Sequence, residues 1–250
     1  MRNLTTREKL ILSGLFLSKF DETGLRMLGF NGFSEAFNAL ALSLKANPAS
    51  LKNYRDEFDP CFPNPRQGWH KRPIRTYCKN LMDEFGMLSM ESFADLIKTE
   101  ISIAGEVEII EEQADMSESN SFAKRLITGQ AAEKYFERVF ITVPEFQSYS
   151  LTNTTGLGCG FDYRMSREDS PFLAVEVKGI TTSTGAIQMT SKEHKIAQLL
   201  EDRFFLFVVR NFAEKPYHTI FQNPVNSRLI FDRRESVSVQ VFWSTTIGSE

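Results

Sequence analysis

The sequence predicts two parts of different class: a helical first hundred residues, then a stretch in which helices and strands alternate as in an α/β sandwich. Three observations carry this. Apolar residues recur at helical spacing from Leu10 to about Ile103. A run of acidic residues, Glu106, Glu108, Glu111, Glu112, Asp115 and Glu118, then interrupts the pattern. Beyond it, segments 172–178 and 203–209 are dense β-branched and apolar runs of strand length, set between helical stretches. The expected organisation is a helical domain over 1–103, an acidic linker over 104–121, and a second domain over 122–250.

The elements follow in order. Thr5 and Thr6 before Arg7-Glu8 form a helix N-cap with an acidic first turn, and Leu10, Ile11, Leu15 and Phe16 supply one apolar stripe. Segment 34–42 is a second helix, capped by Ser34. Asn47-Pro48 opens a third, since proline suits a first helical turn; Leu51, Tyr54 and Phe58 share one side, and Lys52, Asn53 and Arg55 lie outside that stripe. Asp59 to Pro73 reads as a proline-rich basic loop containing Trp69 and His70. Helices are then expected from about Pro73 to Phe85 and from Ser89 to about Ile103. A short helix, a break and a helix rich in Asn, Lys and Arg is a helix-turn-helix outline, which any small helical bundle can also produce.

In the second half, a helix is expected over 122–139, its stripe formed by Ala132, Tyr135, Phe136 and Val139. Gly156, Gly158 and Gly160 mark a bend before Phe161-Asp162-Tyr163. Phe172 to Lys178 is a strand, and Ser191 to Glu201 a helix. Arg203 to Val209 is apolar enough to be a central strand, and Thr219–Gln222 and Ser236–Trp243 are two further strand candidates.

Charge is unevenly distributed. The net charge of −3 conceals 14 Lys+Arg against 12 Asp+Glu in residues 1–103, and 8 basic against 3 acidic residues within 45–80. That local excess is where a phosphate backbone would be met, although a solvated surface patch has the same composition. The three cysteines, Cys61, Cys78 and Cys159, are scattered and argue against a disulfide framework or a structural zinc site. His70, His194 and His218 show no ligand spacing. No apolar run reaches the roughly 20 residues of a membrane span and no signal peptide is evident, so no membrane association and a cytoplasmic location are expected.

The residues that suggest chemistry are Glu133, Asp162, Glu176 and Lys178. Strand side chains alternate, so Ala174, Glu176 and Lys178 share one face while Leu173, Val175 and Val177 take the other. Glu176 converging with Asp162 gives two carboxylates, a hard-oxygen site for Mg²⁺ or Mn²⁺, and Lys178 stands beside it. A lone E-x-K on a strand is more often a surface ion pair. Here the strand is apolar around its charges, and Asp162 follows a glycine-punctuated bend.

At these positions the chain resembles the PD-(D/E)XK nuclease superfamily. The motifs are Gly129-Gln130-Ala131-Ala132-Glu133, Gly160-Phe161-Asp162 and Val175-Glu176-Val177-Lys178-Gly179. Their order is similar to that of the branch named after the plant protein NO VEIN, as are Thr190-Ser191-Lys192-Glu193 with Ala197, the following strand, and Asn223-Pro224-Val225. Phe161 replaces the superfamily's proline. The resemblance implies an α/β (α+β) core with a mixed central sheet flanked by helices. It implies Asp162 and Glu176 as ligands of Mg²⁺ or Mn²⁺, Lys178 as catalytic lysine, and Glu133 as a supporting helical carboxylate. Gln188 is a further candidate for lining the pocket.

Residues 49–60, with Arg66-x-Gly68-Trp69 and Arg72-Pro73, resemble a module fused to bacterial restriction and phage-defence nucleases. This implies a helix-turn-helix-like DNA-binding domain. Lys52, Asn53 and Arg55 would face a groove, Arg66, Lys71 and Arg72 would meet phosphates, and Trp69 would either stack on a base or anchor its loop. The expected partner is DNA. A homodimer is needed for double-strand cuts, and a companion methyltransferase or other defence protein fits that setting. The alternatives are a catalytically silent DNA-binding or interaction module and a nuclease acting on RNA.

Overall fold

The computed structural model describes residues 3–101, 116–235 and 243–245. Most of the acidic segment, 104–115, lies outside the described residues, as does the strand candidate 236–243 apart from Trp243.

Five helices build the first part: α1 (Thr6–Met27), α2 (Phe33–Ser43), α3 (Pro48–Phe58), α4 (Thr76–Phe85) and α5 (Met90–Ile101). The start of α1 is a reciprocal capping box. The Glu8 amide donates to Thr5 Oγ1 at 3.3 Å, and the Thr5 amide donates to the Glu8 carboxylate at 2.8 Å. Asn47 caps α3 by accepting from the Ala49 amide at 2.9 Å, with Pro48 at the first helical position. The second helix differs from expectation: its cap is Gly32, with extended backbone and no side-chain bond, and Ser34 already lies inside the helix. Phe33 pulls the start forward, because its ring packs against Phe37 and under the Arg55 guanidinium. Leu10, Ile11, Leu15, Phe16, Leu51 and Phe58 all lie in one buried cluster.

The second part is a five-stranded mixed sheet with helices on both faces, consistent with an α+β fold. Its order is β1 (Ser150–Asn153), β2 (Tyr163–Arg167), β3 (Ser170–Gly179), β4 (Phe204–Arg210), β5 (Tyr217–Gln222), with β3 and β4 parallel and the other neighbours antiparallel. Helix α6 (Met116–Val139) covers one face, where Phe136 meets the rings of Tyr163 and Phe207 in a cluster that also holds Val175 and Val177. Helix α7 (Ser191–Leu200) covers the other, with Ala197 against Ala174 and Phe204. Strands β1 and β2 were not anticipated. In β2, Tyr163 and Met165 are buried while Arg164 is exposed, a period-2 pattern too short to stand out beside the glycine bend.

The two parts share side chains. Ile127 of α6 belongs to the helical core, and Leu42 of α2 belongs to the sheet core. Asn38 donates its amide hydrogens to the Phe212 and Glu214 carbonyls at 2.7 and 2.8 Å. Buried Glu35 accepts from the Thr181 hydroxyl at 3.1 Å and pairs with Lys124 at 2.6 Å. A buried carboxylate with several donors resists removal of any one of them.

Candidate active site

The site begins with the β2–β3 register. Tyr163 pairs with Val175, so the next step brings Asp162 opposite Glu176. Asp162 is held there at both ends. Its amide donates to the Val175 carbonyl at 3.1 Å, and its carboxylate accepts from the Val177 amide at 2.8 Å. The preceding bend delivers it by way of Gly158 and Gly160, both at positive φ (59° and 87°). A Cβ on Gly160 would stand 3.0 Å from Ile196 Cγ1, so glycine is required there twice over, by conformation and by contact with α7. The Lys192 ammonium donates to the Gly158 carbonyl and ties the bend to α7.

Strand alternation turns Glu176 and Lys178 toward α7, while Val175 and Val177 join the core under α6. Glu176 is only 3% exposed, which removes the surface ion pair as an explanation of the E-x-K motif. Lys178 Nζ lies 2.5 Å from Glu176 Oε1 and 2.9 Å from Glu193 Oε2. Beyond Lys178, Gly179 permits α6 to approach: a Cβ there would be 2.9 Å from the Thr128 carbonyl oxygen.

Electrostatics follow from that crowding. Burial pushes the Glu176 carboxyl up to about 8; the Asp162 charge adds to the rise and Lys178 opposes it. Burial also raises Asp162, to about 6, against the Val177 hydrogen bond and Lys178. Burial works against the Lys178 charge, but the two glutamates overcome it and hold the ammonium protonated.

Whether a divalent cation fits is a question of donor chemistry. Among the described residues, no group of three or more His, Cys, Asp or Glu side chains could hold a metal. Asp162 and Glu176 offer two carboxylates on facing strands, and Mg²⁺ is commonly bound by one or two carboxylates with water completing its shell. The mutual repulsion of the pair is the strain a cation relieves. The donor set fits.

Glu193 is the member that sequence reading did not assign to the site. Its signal is the Thr190-x-x-Glu193 helix start, one of the motifs similar to the NO VEIN branch, which also has the form of a capping box. That box is real: Thr190 Oγ1 accepts from the Glu193 amide at 3.2 Å, and Glu193 Oε2 accepts from the Thr190 amide at 3.0 Å. Glu133 occupies α6 next to Tyr163; its backbone carbonyl accepts from the Tyr163 hydroxyl at 3.5 Å. Gln188 is exposed on the segment leading into α7, between Ile187 and Met189, which pack against two different apolar clusters.

The basic candidates of the helical part divide into two groups. Arg55 is buried and pairs with Asp56 at 2.6 Å. Arg66 holds Asp59 with two parallel bonds of 2.9 and 3.0 Å and also pairs with Asp21. Both guanidinium groups are committed to internal carboxylates. Lys52, Asn53, Lys71 and Arg72 are exposed, with Lys52 3.3 Å from Asp56. Half-buried Trp69 lies 3.6 Å beneath the Arg72 guanidinium, and Gly68 to Arg72 line a hollow of about 270 Å³. The Trp69 amide donates to the Asp56 carbonyl at 2.8 Å, so this residue anchors its loop and leaves part of its ring open. The three cysteines are free, and His218 stacks on Phe207 at 4.7 Å, far in sequence from His70 and His194.

Residues 132–221 match the family described as Protein NO VEIN, C-terminal. The match runs from within α6 through β1 to β4 and into β5, and includes Glu133, Asp162, Glu176, Lys178 and Glu193. No curated protein and no solved structure matches the chain. Among the described residues, no helix is long and apolar enough to cross a membrane.

Proposed function

We propose that this chain is a divalent-metal-dependent nuclease of the PD-(D/E)XK type, hydrolysing phosphodiester bonds in DNA in a restriction or phage-defence setting. The observation that carries the reading is the meeting of Asp162, Glu176 and Lys178 on one face of two adjacent strands, with Glu176 buried and Lys178 Nζ 2.5 Å from it. The family match over 132–221 agrees with that resemblance.

In this reading Asp162 and Glu176 hold Mg²⁺ or Mn²⁺. The bound cation would polarise the phosphodiester and acidify a water molecule. Lys178 carries a fixed positive charge at the mouth of the site, where it can neutralise charge developing on the phosphate. The Val177 amide and the Gly158–Gly160 bend fix Asp162, so the ligand pair needs little rearrangement. The helical part acts as a helix-turn-helix-like DNA-positioning domain. Lys52 and Asn53 on α3, with Lys71 and Arg72 at the Trp69 hollow, are its solvent-facing contacts. Arg55 and Arg66 support it from within. Double-strand cleavage calls for two copies of the site, hence a homodimer.

The test is cleavage of plasmid and phage DNA, methylated and unmethylated, with Mg²⁺, with EDTA, and with Glu176→Ala and Lys178→Ala. Discrete fragments that require the metal and vanish in both variants are expected. Cleavage that survives in Glu176→Ala, or intact DNA under every metal condition, overturns the reading.

A further inference from the structure

We infer that Glu193 is the positioning residue for Lys178: it keeps the ammonium in the site when a divalent cation takes Glu176. This rests on the metal-dependent reading above and goes beyond it, because it assigns a role to a residue of α7 outside the ligand pair.

Lys178 is shared between two carboxylates of different kinds. Glu176 lies on the same strand and is a proposed cation ligand; Glu193 lies on the helix laid across that face, 2.9 Å away. A cation on Glu176 and Asp162 repels the ammonium that now sits 2.5 Å from Glu176. The lysine side chain is 22% exposed, so water is within its reach. Glu193 is the group that can retain it.

Glu193 is also built to stay still. The Thr190 backbone amide donates to the same Oε2 that Lys178 uses. The N-terminal turn of α7 is fastened to the bend that carries Asp162 through Lys192 and Gly158, and Gly160 packs against Ile196. The anchor of the lysine and the mount of one metal ligand are therefore one unit.

Charge supports the same assignment. Fully ionised, Asp162, Glu176, Glu193 and Lys178 sum to two negative charges, which one divalent cation neutralises. Without Glu193, the loaded site would carry an excess positive charge, and Lys178 would compete with the cation for Glu176.

The experiment measures Mn²⁺ binding by electron paramagnetic resonance on the full chain, alongside steady-state cleavage. Wild type, Glu193→Gln, Thr190→Ala and Glu176→Ala are compared. Glu193→Gln keeps an acceptor for the Thr190 amide but loses the charge that holds Lys178. Mn²⁺ affinity is expected to weaken roughly 10- to 100-fold, as for other groups that orient a metal site from outside it. kcat should fall and KM change little. Thr190→Ala removes the side-chain half of the cap and should lower Tm while leaving Mn²⁺ affinity near wild type. Glu193→Gln binding Mn²⁺ as tightly as wild type overturns the inference alone. So does an equal loss of affinity in Thr190→Ala, which would assign the effect to helix integrity. Wild type that binds no Mn²⁺, or binds it undiminished in Glu176→Ala, overturns the metal-dependent reading and the role of Glu193 with it.

Discussion

Raising the pH of the metal-free protein should cost it stability at Glu176, and the cost can be worked out. The carboxyl is raised from an ordinary 4.5 to about 8, first by burial and then by Asp162. A raised folded value means that the native state binds the proton more tightly than the unfolded chain. The contribution is full below the unfolded value and disappears as pH climbs through the folded one. Integrated from pH 6 to 8, this linkage removes roughly 2 kcal/mol. For a chain of this length that corresponds to about 4–8 °C in Tm. Asp162, raised to about 6, has spent most of its contribution below that window. Burial lowers the imidazole of His218, so His218 favours the native state above its unfolded value and loses that contribution as pH falls. It acts with opposite sign at the low end, and the readout is therefore a difference between two proteins. Glu176→Gln preserves shape and abolishes the titration. In EDTA, thermal melts should show the variant gaining on wild type by those 4–8 °C between pH 6 and 8, and saturating Mn²⁺ should restore wild type at pH 8. A Tm difference that stays constant across the range refutes the argument.

Three further outcomes are expected. Gly160→Ala, forced to φ 87° with a Cβ 3.0 Å from Ile196, should lose roughly 1–3 kcal/mol in chemical denaturation; Gly158→Ala, which meets only the Lys192 ammonium at 3.9 Å, should lose less. Asp59→Ala removes the buried carboxylate that Arg66 grips with two bonds, leaving Arg66 to Asp21 and Arg55 to Asp56, and should destabilise by about 1–3 kcal/mol, read as a lower urea midpoint. Replacing Lys71 and Arg72 by alanine should reduce the salt dependence of duplex binding, measured by fluorescence anisotropy, by up to about 2 in the log–log slope. Arg55→Ala should instead lower Tm and leave that slope alone.

Local chemistry was readable wherever a residue's role depends on its immediate neighbours. Thr5 with Glu8, and Asn47 with Pro48, mark helix starts because caps are satisfied within one turn. The apolar runs of β3 and β4 mark strands, that of β4 a central one, and period-2 alternation alone puts Glu176 and Lys178 on one face. The order of Asp162, Glu176 and Lys178 was enough to suggest one site. What lay beyond the sequence was every choice of partner made across the fold. Arg55 and Arg66 look like groove and phosphate contacts from their charge, yet Asp56, Asp59 and Asp21 pair with them, and the buried Asp59 carboxylate would be costly to leave unpaired. Glu193 looks like a helix cap and is one; only the packing of α7 across β3 brings its carboxylate to 2.9 Å from Lys178. Sequence periodicity determines which face a side chain takes. Which other side chain waits on that face is decided when sheet register and helix docking bring distant segments together, at distances where burial makes the pairing of charges obligatory.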